Sequence, residues 1–477
     1  MKTKKIVALV LSMAMVLGVA ACSKDSAETS APAGDAATTT AAATTAGAAE
    51  TTEAATVETQ EIVVDTSNYK EETVATDVAN TDDRDGELVI FGFNDEFMSR
   101  INEYSEIQID ADHYQITPND GSAYTILLDT VLSSGEGAPD LFACDADYVK
   151  KYIVSDSTVS INSLGIAYAE LSEMYDYTLR FGSDESSVIK GVTWQACPCG
   201  VFYNRTVAQN TLGVSDPEDV APFFATWDAF LDAAETVAEA GDYRIVSGWD
   251  DVFKSYLNSR KAGWVVDGKV NIDQSLVDFF DTALALYDGE LTWGTSQWSG
   301  DWTTNATNET VLSYWGPMWL GYSLGMNNGD SNPTAGDWGM VSAPTTWYWG
   351  GTWIMASKYC DKQADVAQIM RDVCIDETTL ASINTQYGDF VNNIAYMTSV
   401  ASDSTAGVEW LGGQNPFGVL LDAAKTIDNS SVGIDDASIN GLFTSVVTSY
   451  VQGDIESVSE AKTEFTNQVI AGGFANA

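Results

Sequence analysis

The stretch LVIFGFNDE at residues 88–96 decides the fold class, because a short apolar run ends abruptly in three polar side chains. Such a run is typical of a strand that is buried on both faces. A second run of this kind, DLFAC at 140–144, follows a helix-like segment at 126–132 and a Ser-Ser-Gly-Glu-Gly turn at 133–137. Strands that alternate with helices in this way predict a parallel α/β sheet.

The same alternation continues through the rest of the chain. VFYN at 201–204 is a further strand candidate, and Thr226 can cap a helix whose apolar positions share one face until Gly241. Another helix carries its apolar residues between Leu276 and Tyr287. The folded part begins near Glu87 and spans about 390 residues, more than one hydrophobic core usually serves, so two lobes with doubly wound sheets are expected.

The N-terminus predicts export. Lys2, Lys4 and Lys5 precede an apolar run at 6–19, which is too short to span a bilayer comfortably and fits a signal peptide. The run ends in Val19-Ala20-Ala21-Cys22, which resembles the lipobox of bacterial lipoproteins, with valine where that pattern usually has leucine. Residues 1–22 are therefore predicted to be a lipoprotein signal peptide, with Cys22 as the lipidated residue. An ordinary cleaved signal peptide or a short anchor helix is the alternative.

Residues 23–86 are rich in Thr, Ala and Glu and contain one aromatic side chain, Tyr69. They carry 14 acidic and 3 basic residues. A segment with so little apolar surface cannot offset the entropy of ordering, so it is predicted to be a disordered tether.

Net charge narrows the class of ligand. From residue 87 onward the chain has 55 acidic and 16 basic residues. A surface this negative repels nucleic acid and anionic lipid headgroups, and it disfavours phosphorylated or carboxylated ligands, which require clusters of Arg and Lys. Neutral or cationic ligands remain.

The cysteines predict neither a metal site nor a firm disulfide. Five remain after Cys22, and an odd number leaves at least one thiol unpaired within the chain. Cys360 and Cys374 flank a predicted helix and could bridge, whereas small buried thiols are the preferred interpretation for the set. Cys197 and Cys199 lack the neighbouring histidines of a zinc site.

Known catalytic patterns do not fit this sequence. Gly321-Tyr322-Ser323-Leu324-Gly325 matches the G-x-S-x-G elbow of serine hydrolases, but the only histidine, His113, precedes the serine instead of following it. No phosphate loop or dinucleotide fingerprint occurs, so no cofactor is predicted. A glycoside hydrolase needs only two carboxylates and stays open as an alternative.

Tryptophan crowding gives the most direct indication of a ligand. Nine of the fourteen tryptophans fall in the 61 residues from Trp293 to Trp353. Each indole offers a large flat apolar face and one N–H donor, and the cluster adjoins Gly-Pro and Gly-Gly turns. This pattern favours a cleft that stacks flat, polyhydroxylated ligands.

Several segments, in order, resemble those of bacterial extracellular solute-binding proteins of the carbohydrate class, the lipid-anchored receptors of ABC importers. The matching segments are the strand and polar loop at 88–96, Ala138-Pro139-Asp140-Leu141-Phe142, Gly200-Val201-Phe202-Tyr203-Asn204, Thr226-Trp227-Asp228, Trp315-Gly316-Pro317-Met318-Trp319, Gly339-Met340-Val341-Ser342-Ala343-Pro344 and Gly350-Gly351-Thr352-Trp353-Ile354. Met318 departs from the pattern, since the family often has tryptophan directly after Gly-Pro.

The resemblance implies a two-lobe, periplasmic-binding-protein-like (Venus flytrap) α/β fold whose sheets are joined by crossing strands. It implies a first lobe at 87–199 and 350–400 and a second lobe at 200–349 and 401–477. It also implies a non-catalytic, lipid-anchored receptor on the extracytoplasmic face of the membrane, expected to be a monomer. The receptor would deliver a sugar to the membrane permease subunits of an ABC importer.

The predicted ligand-binding residues lie in loops after strands, beside the crossover, and in the aromatic cluster. They are Asn94, Asp95, Glu96, Asp145, Trp194, Trp249, Asp250, Trp315, Trp319, Trp347, Tyr348 and Trp349. Trp227, Trp264 and Trp353 are expected to pack in the interior. A secreted carbohydrate-active hydrolase and a receptor for a peptide or polyamine are the competing hypotheses, because acidic and aromatic clefts serve all three functions.

Overall fold

A computed structural model describes residues 64–71, 86–119, 122–329 and 332–476. The predicted signal peptide, Cys22 and most of the predicted tether lie outside these residues. The strands are β1 Ile90–Gly92, β2 Tyr114–Ile116, β3 Leu141–Asp145, β4 Gly191–Thr193, β5 Gly200–Asn204, β6 Val265–Val266, β7 Lys269–Val270, β8 Ser313–Gly316, β9 Trp338–Val341 and β10 Thr352–Ala356.

The helices carry most of the regular structure. They are α1 Glu96–Tyr104, α2 Ala123–Ser134, α3 Ala146–Ile153, α4 Asp176–Phe181, α5 Arg205–Thr211, α6 Pro217–Val220, α7 Trp227–Glu239, α8 Phe253–Asn258, α9 Gln274–Asp288, α10 Gly300–Asn305, α11 Met318–Ser323, α12 Gln363–Cys374, α13 Glu377–Tyr387, α14 Ile394–Ser402, α15 Phe417–Ala424, α16 Asp436–Val451 and α17 Val458–Ala471. Short 3-10 helices lie at Thr66–Asn68, Ile161–Leu164, Tyr168–Leu171, Ala221–Phe224, Trp249–Val252 and Glu409–Leu411.

The first lobe is built on a five-stranded sheet in the order β2-β1-β3-β10-β4. As predicted from the two apolar runs, β1 pairs in parallel with β3, and it also pairs in parallel with β2, which was not predicted. Strand β10 comes from much later in the chain and runs antiparallel to β3 and β4. Its five residues are all buried, as expected for a strand with helices on both faces of its sheet.

The second lobe is built on a three-stranded sheet in the order β8-β5-β9, and both pairings are antiparallel. Among the described residues of this lobe, parallel pairing occurs in two isolated bridges, Arg244 with Val311 and Val246 with Thr292. Helix α7 begins where predicted, since the Thr226 hydroxyl accepts a hydrogen bond from the Ala229 amide at 3.1 Å. Phe230, Ala234 and Val237 of that helix are buried.

Three segments of the chain cross between the sheets. The first, 194–199, pairs with the second, 347–351, through hydrogen bonds from Cys199 N to Trp347 O and from Trp349 N to Cys197 O. The third, 389–393, pairs with the other end of the first, because Ala196 N donates to Phe390 O and Asn392 N donates to Trp194 O. The crossing strands expected from the sequence are therefore present, and a third strand-like segment joins them.

Residues 64–71 correct the predicted bounds of the disordered tether. Val64 N donates to Ser172 O, and Lys70 N donates to Ser187 O. The Tyr69 ring is buried, and its hydroxyl donates to Asp176 Oδ1 at 3.0 Å. The one aromatic residue of the segment supplies the apolar surface that composition alone appeared to lack, so these residues pack on the first lobe.

Phe443 of α16 lies at the centre of an aromatic core in the second lobe. Its ring is fully buried among Phe253, Trp264, Phe280 and Phe465, with ring centroids between 5.1 and 5.7 Å away.

We expect Phe443→Ala to lower the free energy of unfolding by about 3–5 kcal/mol, because it leaves a cavity inside this core. Urea denaturation followed by tryptophan fluorescence measures the change. Tyr287→Ala is the matched control, since Tyr287 is 41% exposed on α9, and its effect should stay within about 0.5 kcal/mol. Equal losses in the two variants would contradict this description of the core.

Candidate ligand-binding site

A cavity of about 610 Å³ lies between the two lobes. The second lobe contributes one helix, α11, with the loop after it. The first lobe contributes strand ends, α1 and the segment after α13. The lining residues are Phe93, Asn94, Glu96, Arg100, Asp145, Gln195, Trp319, Tyr322, Ser323, Asn327, Gly351, Thr352, Gln386, Tyr387 and Asp389.

Strand direction explains why distant residues meet here. Parallel strands β1 and β3 end at the same edge of the sheet, so Asn94, which follows β1, and Asp145, which ends β3, both reach the cavity. Strand β10 runs the other way, which places its first residue, Thr352, opposite Asp145. Asp145 also caps α3 by accepting a hydrogen bond from Asp147 N at 2.8 Å.

The side chain of Gln195 connects the polar groups on the first-lobe wall. Its Nε2 donates to Glu96 Oε1 at 3.2 Å and to Asp389 Oδ2 at 3.1 Å. Its Oε1 accepts from Thr352 N at 3.0 Å. One amide thus holds two carboxylates side by side and fixes the start of β10.

Arg100 is the cation of this wall. Its Nη2 lies 3.5 Å from Glu96 Oε1, one helical turn away on α1. Its guanidinium carbon lies 3.3 Å from the centroid of the Tyr387 ring. This stacking leaves the guanidinium edge at the cavity wall, where it can donate hydrogen bonds to a ligand.

Three carboxyl groups in the cavity hold their protons more tightly than usual. Burial and the nearby Asp389 raise the pKa of Glu96 to about 7. Burial and the charge of Asp147 raise the pKa of Asp145 to about 7. Burial also raises the pKa of Asp389. Near neutral pH Glu96 and Asp145 can both donate and accept hydrogen bonds, which suits hydroxyl groups of a ligand.

Trp319 forms the aromatic part of the second-lobe wall. Helix α11 starts directly after β8, and the buried Met318 turns Trp319 toward the cavity. Its indole Nε1 donates to Trp349 O at 3.2 Å, and Trp349 packs edge-on at 5.2 Å. Glycine suits position 350 for two reasons. Its φ is 73°, which other residues rarely adopt, and a Cβ there would lie 3.0 Å from the Trp319 ring.

Of the predicted ligand-binding residues, Asn94, Glu96, Asp145 and Trp319 line the cavity together. Asp95 stands beside it, exposed to solvent at the start of α1. Whether these residues bind ligand stays a prediction.

Four of the predicted residues have side chains that are buried in the interior and do not line the cavity. Trp194 is stacked on Phe97 at 5.9 Å, and Trp315 is parallel to Trp227 at 5.6 Å. Trp347 packs against Trp315, and Tyr348 against Phe181. Large apolar rings beside the crossing strands stabilise the join between the lobes, and burial removes their faces from any ligand.

The remaining predicted residues serve other contacts. Trp249 packs on Phe279 at 5.9 Å, and Asp250 accepts a hydrogen bond from Gln297 N at 3.0 Å. Trp349 is buried beneath Trp319 and Lys254, whose Nζ lies 5.2 Å from its ring centroid. Trp264 and Trp353 are buried, and Trp227 is packed against Tyr256, as expected.

Sequence reasoning missed several residues of the cavity: Arg100, Tyr322, Thr352, Tyr387 and Asp389. Arg100 could have been found from its position four residues after Glu96, which places both on one helix face. Thr352 begins the predicted return strand. Tyr387 ends α13 and Asp389 begins the third crossing segment, and neither position follows from a local sequence pattern.

The five cysteines after Cys22 are free and buried, so Cys360 and Cys374 form no disulfide. Across the described ranges, no group of three or more His, Cys, Asp or Glu side chains is arranged to hold a metal ion. In the same part of the chain, no helix combines the length and apolar character needed to cross a membrane.

No protein-family model and no curated protein matches the sequence. Solved structures do match. The chain is similar to an extracellular solute-binding protein of family 1, with a TM-score of 0.68, 18% identity, and coverage of 80% of this chain and 99% of that one. The chain has the fold of extracellular solute-binding proteins of sugar ABC transporters. The predicted two-lobe fold is thereby confirmed.

Two further matches bound sugars when their structures were solved. One is the ABC transporter associated binding protein from B. animalis subsp. lactis Bl-04 in complex with β-1,6-galactobiose, with a TM-score of 0.64, 20% identity, and coverage of 81% of this chain and 97% of that one. The other is the galacto-N-biose-/lacto-N-biose I-binding protein from Bifidobacterium longum in complex with lacto-N-biose, with a TM-score of 0.61, 16% identity, and coverage of 82% and 99%. These similar structures are binding proteins, and at such identities the likeness establishes the fold.

We expect Glu96 to make stability fall as pH rises. In the folded chain its pKa is near 7 instead of the ordinary 4.5, so the folded state binds the proton more tightly than the unfolded state. Its contribution to stability is complete below pH 4.5 and is lost as pH rises through 7.

The free energy of unfolding, measured by urea titration between pH 4 and 8, should fall less steeply with pH in Glu96→Gln than in the native chain. Glu136→Gln, at an exposed turn outside the cavity, controls for the loss of one carboxylate. An unchanged slope in Glu96→Gln would contradict the assignment.

Proposed function

We propose that the protein is a lipid-anchored extracytoplasmic receptor that binds a neutral sugar or oligosaccharide between its lobes and delivers it to an ABC transporter permease. The observation that carries this proposal is the cavity wall, where amide, carboxyl, guanidinium and hydroxyl groups face the indole of Trp319. An aromatic face covers the C–H surface of a pyranose, while the polar groups bond its hydroxyls. The proposal includes the lobe bounds 87–199 with 350–400 and 200–349 with 401–477.

The ligand would be held by the four predicted residues that line the cavity and by neighbours that the structure adds. Glu96, Asp145 and Asp389 would bond hydroxyls, and Arg100 would donate to ring or hydroxyl oxygens. Contacts from both lobes favour the closed arrangement over the open one, and a permease would recognise that closure as a loaded receptor. The receptor acts without chemistry and without a cofactor, and it works as a monomer.

Two features argue against the hydrolase alternative. Ser323 lines the cavity, but His113 bonds Glu87 and Asp110 instead, so the serine has no general base. Glu96 and Asp389 share one amide on a single wall, whereas a glycoside hydrolase places its two carboxyl groups on either side of the scissile bond. A receptor for a polyamine or peptide would use the same carboxylates. Titration with both kinds of ligand therefore has to distinguish that hypothesis from a sugar receptor.

Titration of the purified protein, followed by tryptophan fluorescence and calorimetry, tests the function. The panel contains galactose, β-1,6-galactobiose, lacto-N-biose, glucose, maltose and maltotriose, with putrescine and a tripeptide as competing ligands. We expect saturable binding of at least one sugar. Binding of putrescine or the peptide without binding of any sugar would overturn the carbohydrate proposal. Release of a hydrolysis product from a sugar would overturn the receptor proposal.

We expect Trp319→Ala to weaken binding of the responsive sugar by about 30-fold, corresponding to about 2 kcal/mol for a buried aromatic contact. Isothermal titration calorimetry measures the change. Trp293→Ala is the matched control, because Trp293 is 38% exposed, lies outside the cavity and stacks with Arg244. Similar affinities for the two variants would show that Trp319 does not contact the ligand.

We expect Cys22→Ser to release the protein from the membrane fraction of producing cells into the soluble exported fraction, since lipid attachment requires the thiol. Fractionation and labelling with a palmitate analogue measure this, with Ser26→Ala as control. A variant that stays in the membrane fraction would indicate an anchor helix, and a native protein without label would indicate an ordinary signal peptide.

A further inference from the structure

Trp298 is unusual among the tryptophans of this chain in both exposure and backbone conformation. Its side chain is 55% exposed. Its φ is +66°, in the left-handed region that bulky side chains rarely adopt. Backbone strain of this kind persists where surrounding contacts impose it, and it is concentrated at functional sites.

Two carboxylates, the half-buried Asp250 and the buried Asp251, hold the Trp298 loop in this conformation. Asp250 accepts a hydrogen bond from Gln297 N at 3.0 Å, directly before Trp298. Directly after it, the Ser299 hydroxyl caps α10 by accepting from Trp302 N at 3.2 Å. Asp251, which is buried, accepts from the Trp302 indole at 2.7 Å. The loop is thus fixed on both sides of the strained residue, with a large apolar ring held toward solvent.

The ring of Trp298 continues the aromatic wall of the cavity. It is nearly parallel to Trp319, with an interplanar angle of 8° and a centroid distance of 6.2 Å, and it meets Trp349 edge-on at 5.8 Å. Trp319 lines the cavity, whereas Trp298 does not and is exposed. The rings of Trp298, Trp319 and Trp349, here called the outer aromatic surface, therefore extend from the cavity toward solvent.

Other residues already cover part of this surface. Lys254 lies over Trp349, and its Nζ also contacts both carboxylate oxygens of Asp147 in the first lobe, at 3.0 and 3.2 Å. Trp302 supports Trp298 from the interior at 5.2 Å. Of the three rings, that of Trp298 is the most exposed, at 55%, and it lies beside Trp319, which lines the cavity.

We infer that Trp298 binds a second sugar ring of the same ligand, outside the ring held in the cavity, and so selects oligosaccharides over monosaccharides. This inference rests on the proposed function. An exposed, pre-positioned indole loses little conformational entropy on binding, and its face suits the C–H surface of a pyranose. Continuity with Trp319 favours a ligand that runs along both rings. Asp250 and Asp251 act through the loop as positioning residues.

The test uses two series of increasing length, galactose with β-1,6-galactobiose and β-1,6-galactotriose, and glucose with maltose and maltotriose. Affinities for the full folded chain are measured by calorimetry for the native protein, Trp298→Ala, Trp298→Phe and the control Trp293→Ala. Thermal unfolding verifies that each variant is folded. In the responsive series, we expect Trp298→Ala to weaken binding of the longer sugars by about tenfold, with less than a twofold change for the monosaccharide.

Trp298→Phe should recover part of the lost affinity, and Trp293→Ala should bind every sugar like the native protein. Equal losses at every length, or no loss at any length, would overturn the inference while leaving the sugar receptor intact. Normal sugar binding by Trp298→Ala with reduced uptake in cells would also overturn it and would identify Trp298 as a permease contact. No binding of any sugar by the native protein would overturn the proposed function together with the inference.

Discussion

The side chain of Gln195 is the contact on which the arrangement of the lobes depends. It stands in the first crossing segment, accepts from the backbone of Thr352 directly after the second, and donates to Asp389 of the third. Its remaining donor interaction goes to Glu96 at the start of α1. The amide of Gln195 thus connects the crossing segments to the cavity wall. Buried polar networks of this kind specify one geometry when every member is satisfied.

The acidic groups of this network do more than repel anions. Burial raises the pKa of both carboxyl groups beside Gln195, and the charge of Asp389 raises that of Glu96 further, whereas the Arg100 guanidinium lowers both. A protonated carboxyl can donate a hydrogen bond, and an ionised one can accept two or more. The wall can therefore adapt its hydrogen bonding to the hydroxyl pattern of a ligand with few moving parts.

Much of the fold could be predicted from local pattern. The apolar runs at 88–93 and 140–144 became β1 and β3, and Thr226 caps α7 as its hydroxyl suggested. The antiparallel pairing of β10 and the third crossing segment could not be predicted in the same way, because their partners are more than a hundred residues distant in sequence.

The site was predicted less completely, and the tryptophans show why. Trp315 and Trp319 are four residues apart and equivalent by composition, yet one ends β8 in the core and the other faces the cavity from α11. Which face of an indole is covered depends on tertiary packing, here by Phe224, Phe230 and Trp347 around Trp315. Polar loop residues after strands were more predictable, because strand direction alone sends them to one edge.

The packing of residues 64–71 has a mechanical consequence. Val64, Tyr69 and Lys70 are fastened to the first lobe, so any pull or restraint transmitted from earlier in the chain is applied to that lobe. The second lobe receives such a force only through the three crossing segments. Residues 64–71 therefore keep their place on the first lobe whatever the position of the second.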